Sequence, residues 1–180
     1  MKRLLCMLVL LATVIPAMAQ KTSSRKVVYG GNASIGVNCG VSKDINSNSV
    51  YATTTHGVFL KDDLFLGLGT GINYELSGLI WLPIYAETSF NVADCYNFTP
   101  FLSCRIGGEV VALDVDSSRK GGGIMLSPAA GVSFGRYSFK LSYQYGAGSL
   151  YQKYDRYETL ERDYELHYIG VSFQLNFGGR

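Results

Sequence analysis

The stretch Leu64-Phe65-Leu66-Gly67-Leu68-Gly69-Thr70-Gly71-Ile72-Asn73-Tyr74-Glu75 decides how this chain is read. Successive side chains of an extended strand point to opposite faces, so Leu64, Leu66, Leu68, Thr70, Ile72 and Tyr74 share one face. Phe65, Gly67, Gly69, Gly71, Asn73 and Glu75 share the other. A soluble sandwich turns its oily face inward. Here the second face is mostly glycine, amide and carboxylate, which makes a poor dry core, so the oily face is expected to look outward.

The same inverted alternation recurs along the chain. Ile169, Val171, Phe173, Leu175 and Phe177 oppose Tyr168, Gly170, Ser172, Gln174 and Asn176, while Phe139, Leu141, Tyr143 and Tyr145 oppose Lys140, Ser142, Gln144 and Gly146. Eight strands are predicted, at about 30–41, 50–60, 63–75, 80–92, 98–112, 121–134, 138–149 and 163–177. Each reaches the roughly 9–11 residues that cross a bilayer at a tilt. The predicted fold class is all-β, an eight-stranded antiparallel up-and-down transmembrane β-barrel over residues 30–180.

The connections orient the barrel. Lys61-Asp62-Asp63, 93–97 and 135–137 are tight, whereas 42–49, 113–120 and 150–162 are longer and more charged. Short turns belong on the periplasmic side and long loops outside. The link at 77–79 is short for an outer loop. Aromatic residues sort the same way, with every Phe near a predicted periplasmic turn or terminus. Tyr51, Tyr74, Trp81, Tyr145, Tyr151 and Tyr164 lie toward the opposite ends, as two headgroup-level girdles would place them.

Residues 1–19 read as a secretory signal, with Lys2 and Arg3 before an apolar run and Ala17-Met18-Ala19 as the cleavage pattern. Residues 20–29 then form a polar periplasmic lead-in. No other segment approaches the roughly 20 apolar residues of a membrane helix. Without Lys2 and Arg3 the 16 basic residues fall to 14, equal to the 14 acidic ones, so nothing favours nucleic-acid binding. Cys39, Cys95 and Cys104 remain, an odd number, and none shows metal-ligand spacing.

Leu64-Phe65-Leu66-Gly67-Leu68-Gly69-Thr70-Gly71, Trp81-Leu82-Pro83-Ile84-Tyr85-Ala86-Glu87 and the terminal strand ending at Phe177 together resemble the small outer-membrane β-barrel family. These are the porin-family or OmpA/OmpX-like eight-stranded barrels of Gram-negative bacteria, and the resemblance covers about residues 30–177. It implies insertion by the barrel-assembly machinery and contact with outer-membrane lipid and lipopolysaccharide. Family members commonly end on the terminal aromatic residue, whereas this chain continues with Gly178-Gly179-Arg180. Pro83 inside a strand cannot donate to the ladder and is expected to mark a bulge.

The predicted interior holds Glu75, Glu87, Arg105, Glu109 and Lys140, which must pair because an isolated buried ion costs several kcal/mol. An interior charge network that plugs the lumen is expected, with a narrow ion or small-solute channel gated by those charges as the alternative. Eight strands enclose a space side chains can fill, unlike water-filled porins of about sixteen or more. A lipid-modifying enzyme needs a base and a nucleophile together, but His56 and His167 are followed two residues on by Val58 and Ile169. Only Thr54 and Glu165, two residues before them, offer a partner. No catalytic residue, metal or cofactor is therefore assigned.

Gly67-Leu68-Gly69-Thr70-Gly71 lacks the lysine of a phosphate loop and reads as strand packing, and Gly121-Gly122-Gly123 as the return of the third outer loop into the sheet. Asp114-Val115-Asp116 is a candidate site for a divalent cation. Residues 150–162 are the richest exposed segment, and Tyr151, Tyr154, Arg156 and Tyr157 are the residue types that carry protein contacts. The function expected is structural or adhesive: a monomer that presents its outer loops to an external protein or host-surface ligand.

Overall fold

The computed structural model describes residues 27–41, 48–61, 63–93, 95–114, 119–153 and 159–178. The expected signal at 1–19 and nearly all of the expected lead-in lie outside them. The strands are β1 (Val28–Gly40), β2 (Ser49–Lys61), β3 (Leu64–Glu75), β4 (Leu79–Asn91), β5 (Thr99–Asp114), β6 (Arg119–Phe134), β7 (Tyr137–Lys153) and β8 (Thr159–Gly178). All neighbours are antiparallel, and β1 pairs with β8 from Gly30↔Gly178 to Gly40↔Tyr168, closing the barrel.

The alternation sets the two faces as the sequence implies. Leu68, Ile84 and Ile124 are 72%, 68% and 65% exposed on the outside, whereas Glu87 and Lys140 are 3% exposed within. Such an outward apolar wall around a polar lumen is the arrangement of a membrane-spanning barrel. Cys39 is exposed on the outer wall and Cys95 in a turn, and all three described cysteines are free thiols.

Several details depart from expectation. Residues 150–162 are mainly strand, because β7 runs to Lys153 and β8 starts at Thr159, in register down to Lys153↔Thr159. Gly121-Gly122-Gly123 lies within β6 rather than at a loop end, paired with Leu150, Ser149 and Gly148. The bulge sits at Ile80/Trp81, where β5 carries one extra residue, and not at Pro83 itself. At Pro83 the β3–β4 ladder lapses between Thr70↔Ile84 and Asn73↔Trp81, and the Thr70 hydroxyl donates to the Pro83 carbonyl at 2.9 Å. The side chain thus satisfies an acceptor that the interrupted ladder leaves over.

Not every aromatic residue belongs to a girdle. Trp81 and Tyr164, expected in the outer belt, turn into the lumen and meet at 5.5 Å. At the other end Phe65 and Phe101 are buried within, and Phe59 packs on Phe65 at 5.1 Å. Glycines on the neighbouring strands make room for these rings. Gly36, Gly69 and Gly131 stand opposite Tyr51, Tyr85 and Phe101, whose rings occupy the space a Cβ would take. These three inward glycines thus make room for rings packed across neighbouring strands.

The outward face predicts a depth-dependent penalty for charge. Leu68→Arg, in the middle of β3, should lower unfolding free energy in phosphatidylcholine vesicles by about 2–4 kcal/mol. Leu76→Arg, in the outer turn, should cost no more than about 1 kcal/mol. Urea titration read by gel mobility with and without boiling measures both.

Candidate functional site

Three of the five predicted interior charges meet in the half of the lumen nearer the chain termini. Glu87 on β4 stands across from Arg105 on β5, and Arg105 Nε lies 3.2 Å from Glu87 Oε2. Lys140 Nζ reaches Glu87 Oε1 from β7 at 3.5 Å. One carboxylate thus serves two cations from different strands, tying β4, β5 and β7 together across the lumen. Thr55 donates to Glu87 Oε2 at 2.7 Å, which leaves Thr55 Oγ1 to accept from the Tyr85 hydroxyl at 3.1 Å. The Tyr85 ring lies under the Arg105 guanidinium at 4.6 Å, an arrangement favourable to the cation. Arg105 Nη1 also donates to Thr53 Oγ1 at 3.5 Å.

Glu75 and Glu109 lie apart from this cluster, toward the outer end. Glu75 accepts from the Tyr168 hydroxyl at 2.7 Å and from Ser77 at 2.9 Å. Glu109 Oε1 occupies room left by Gly146, where a Cβ would stand 3.0 Å away. Between the two groups lies a cavity of about 30 Å³ lined by Arg105, Glu109, Lys140, Asn73 and Gln144 among others. That space suits one or two water molecules. Above it Leu79, Trp81, Tyr164, Leu166 and Tyr168 form a buried apolar cluster that caps the lumen. Sequence reading missed this lid because it sorted the aromatic residues by height along the strands and did not carry the inward parity of Glu87 and Tyr168 up to Trp81, Tyr164 and Leu166.

The outer candidates fare differently. Tyr151 is exposed on β7 and donates to Glu161 Oε1 at 2.9 Å, while Tyr154, Arg156 and Tyr157 lie outside the described residues. Asp114 is not open to a cation as expected. It binds Arg119 through both carboxylate oxygens, at 2.8 Å to Nε and 3.1 Å to Nη2, and also accepts from the Arg119 amide at 3.0 Å. Asp116 lies outside the described residues, and among those described no cluster of three His, Cys, Asp or Glu residues forms a metal site.

Both histidines sit on the outer wall. His56 Nδ1 lies 2.6 Å from the Tyr29 hydroxyl and Nε2 3.2 Å from Thr54 Oγ1. Thr54 donates to the Asn32 carbonyl at 3.3 Å, so its proton is committed elsewhere. His167 Nδ1 lies 2.6 Å from the Tyr143 hydroxyl, with Glu165 Oε1 3.6 Å from Nε2. In each case a tyrosine holds the imidazole against the wall.

Breaking the three-ion cluster on one side should be costly. Glu87→Ala strands two buried cations and should lower stability by about 3–5 kcal/mol. Adding Arg105→Leu and Lys140→Met should recover most of that loss, since apolar replacement of a whole ion cluster is close to neutral. Urea titration in vesicles measures both variants.

Comparison with known proteins supports the fold. No family model matches the sequence, and no curated protein is significantly similar to it. Among solved structures the chain is similar to the outer-membrane enzyme PagL, with a TM-score of 0.55 at 11% identity, over 80% of this chain and 98% of that one. Neisserial surface protein A matches with a TM-score of 0.52 at 14% identity, over 84% and 97%. The N-terminal β-barrel domain of Pseudomonas aeruginosa OprF matches with a TM-score of 0.51 at 12% identity, over 82% and 97%. The fold is that of the small eight-stranded outer-membrane β-barrels.

Proposed function

We propose that this barrel resides in an outer membrane, reached through the N-terminal signal, and acts as a structural and surface-interaction protein with a closed lumen. The observation that carries this reading is the double closure of the interior. The Glu87–Arg105–Lys140 cluster fills one level and the Trp81–Tyr164 lid another, with a cavity of about 30 Å³ between them. Transport through the barrel would have to open both. The outer wall and rim remain as working surfaces, and there the β7–β8 hairpin extends well past the last β1–β8 pair at Gly40↔Tyr168. An external protein or host-surface ligand, and the surrounding lipopolysaccharide, are the partners that face it. Barrel closure leaves no long strand edge within the membrane, which supports a monomer.

Two experiments test this. In planar bilayers the folded protein should give no stable conductance steps, and steps altered by Arg105→Ala would overturn the closed lumen in favour of a gated channel. Replacing residues 151–161 with Asn-Gly joins the paired Leu150 and Arg162 through a tight turn, so the barrel should still show heat-modifiable mobility. Binding of expressing cells to host cells and matrix should then disappear. Unchanged binding would remove the adhesive role.

A further inference from the structure

The ladder that closes the barrel stops before β8 does. β1 runs out at Gly40↔Tyr168, with one further hydrogen bond from the Val41 amide to the His167 carbonyl at 2.8 Å. β8 continues to Thr159 and stays paired with β7 on its other side, as far as Lys153↔Thr159. The N–H and C=O of one strand residue point to the same side, and that side alternates along the strand. Since His167 faces β1, so do Asp163 and Glu161, and among the described residues no strand lies beside them there. A bare edge in water is a template for another extended chain, and most edges are blunted by proline, lysine or a bulge. From Thr159 to Tyr168 this one has no proline, glycine or lysine, and its pairing with β7 is unbroken. It also stands clear of hydrocarbon. Asp163 pairs with Ser149, twelve residues above Tyr137 at the start of β7. At about 3.3 Å per residue and a tilt of about 40°, that is roughly 30 Å, beyond an apolar band of about 25 Å.

We propose that this edge of β8 takes up an extended segment of a partner protein as an added antiparallel strand, with lysine or arginine at every second position of that segment. In strand addition the backbone hydrogen bonds give affinity and the side chains give selectivity. Charge sets the selectivity here. Glu161, Asp163 and Glu165 stand exposed at alternate positions on the outward face. Hydroxyls of β7 orient two of them, Tyr151 donating to Glu161 Oε1 at 2.9 Å and Ser149 to Asp163 Oδ1 at 2.7 Å. Neither Glu161 nor Asp163 has an ion-pair partner among the described residues. Opposite charges facing each other across a strand pair stabilise it, and like charges destabilise it. A second copy is therefore a poor occupant: antiparallel pairing of two β8 edges about Asp163 sets Asp163 against Asp163 and Glu161 against Glu165. The register is fixed as well. A basic residue directly opposite Asp163 shares its hydrogen-bonded position, so the amides of the basic residues, and not those between them, point at β8.

The inference deepens the surface role proposed above and rests on it. Its test is fluorescence anisotropy with the full chain in phosphatidylcholine nanodiscs at low salt. The probe is a labelled, end-capped peptide, Thr-Lys-Val-Lys-Val-Lys-Thr, and the same peptide with glutamate for lysine is the control. The basic peptide should bind and the acidic one should not. N-methylation of the lysine amides should weaken binding about tenfold or more, while N-methylation of the two valine amides should leave it unchanged. On the protein, Asp163→Pro removes an edge N–H that β7 does not use and should abolish binding while keeping the heat-modifiable shift of a folded barrel. Asp163→Asn, which removes charge alone, should weaken binding less. Should the proline variant not fold, the two methylated peptides decide the matter on the unaltered protein. Absence of binding by the basic peptide overturns the site, and so does equal binding by both methylated peptides, which marks attraction to the acidic face alone. Binding seen only after residues 42–47 are replaced by glycine shows that the chain's own β1–β2 connection covers the edge, and a dimer abolished by Asp163→Pro shows a second copy there; either overturns the proposal. If no peptide binds while replacement of residues 151–161 still abolishes adhesion, only the edge site fails and the surface role stands.

Discussion

Closure of β1 onto β8 is the constraint from which the other features follow. A sheet in hydrocarbon cannot leave a row of amides and carbonyls unpaired, because no water is there to receive them. Eleven paired positions from Gly30↔Gly178 to Gly40↔Tyr168 remove that edge. Once the sheet is closed at eight strands, its interior is about as wide as the side chains that fill it. The lumen must then be packed, and a narrow packed lumen with polar lining must satisfy its charges internally.

The chain meets that demand at two levels with different chemistry. Toward the end that holds the chain termini one carboxylate, Glu87, holds Arg105 and Lys140 from two other strands, with Thr55 donating to Glu87, Thr53 accepting from Arg105 and the Tyr85 ring beneath the guanidinium. Toward the outside Trp81, Tyr164, Leu166 and Leu79 exclude water by area alone. Ionic contacts specify geometry, while the apolar lid contributes burial. Glycines opposite Tyr51, Tyr85 and Phe101 let rings lie flat across neighbouring strands, so small and large residues interlock around the barrel.

With a lumen closed as proposed, chemistry with other molecules falls to the wall and the rims. The strands are uneven in length, with β3 spanning 12 residues, β5 and β6 16 each, β7 17 and β8 20, so the sheet extends furthest at the outer end of β7 and β8. That asymmetry raises a polar sheet above the apolar belt. Tyr151, Ser149, Glu161 and Asp163 are hydrogen-bonded to one another there, which fixes their orientation before any partner arrives. Preorganised groups of this kind lose less freedom on binding than mobile ones.

Strand number and face assignment were legible in the sequence because strand period is two and the membrane inverts the usual sorting of apolar residues. Glu75, Glu87, Arg105, Glu109 and Lys140 all fall on the buried face, as parity alone indicates. Parity cannot say which of them touch. That depends on register between strands distant in sequence, such as β4 and β7, and so the grouping of Lys140 with Glu87 but not with Glu109 belongs to the folded barrel. Aromatic position along a strand was likewise readable, but the face was misjudged at Trp81 and Tyr164, each of which shares the parity of an inward residue on its own strand, Glu87 on β4 and Tyr168 on β8. Asp114 looked like a cation ligand only while Arg119 was five residues away along the chain rather than 2.8 Å away across a hairpin. Local alternation thus determined the wall and its two faces, and tertiary closure decided the pairing within it, because only closure brings the opposite sides of a barrel into contact.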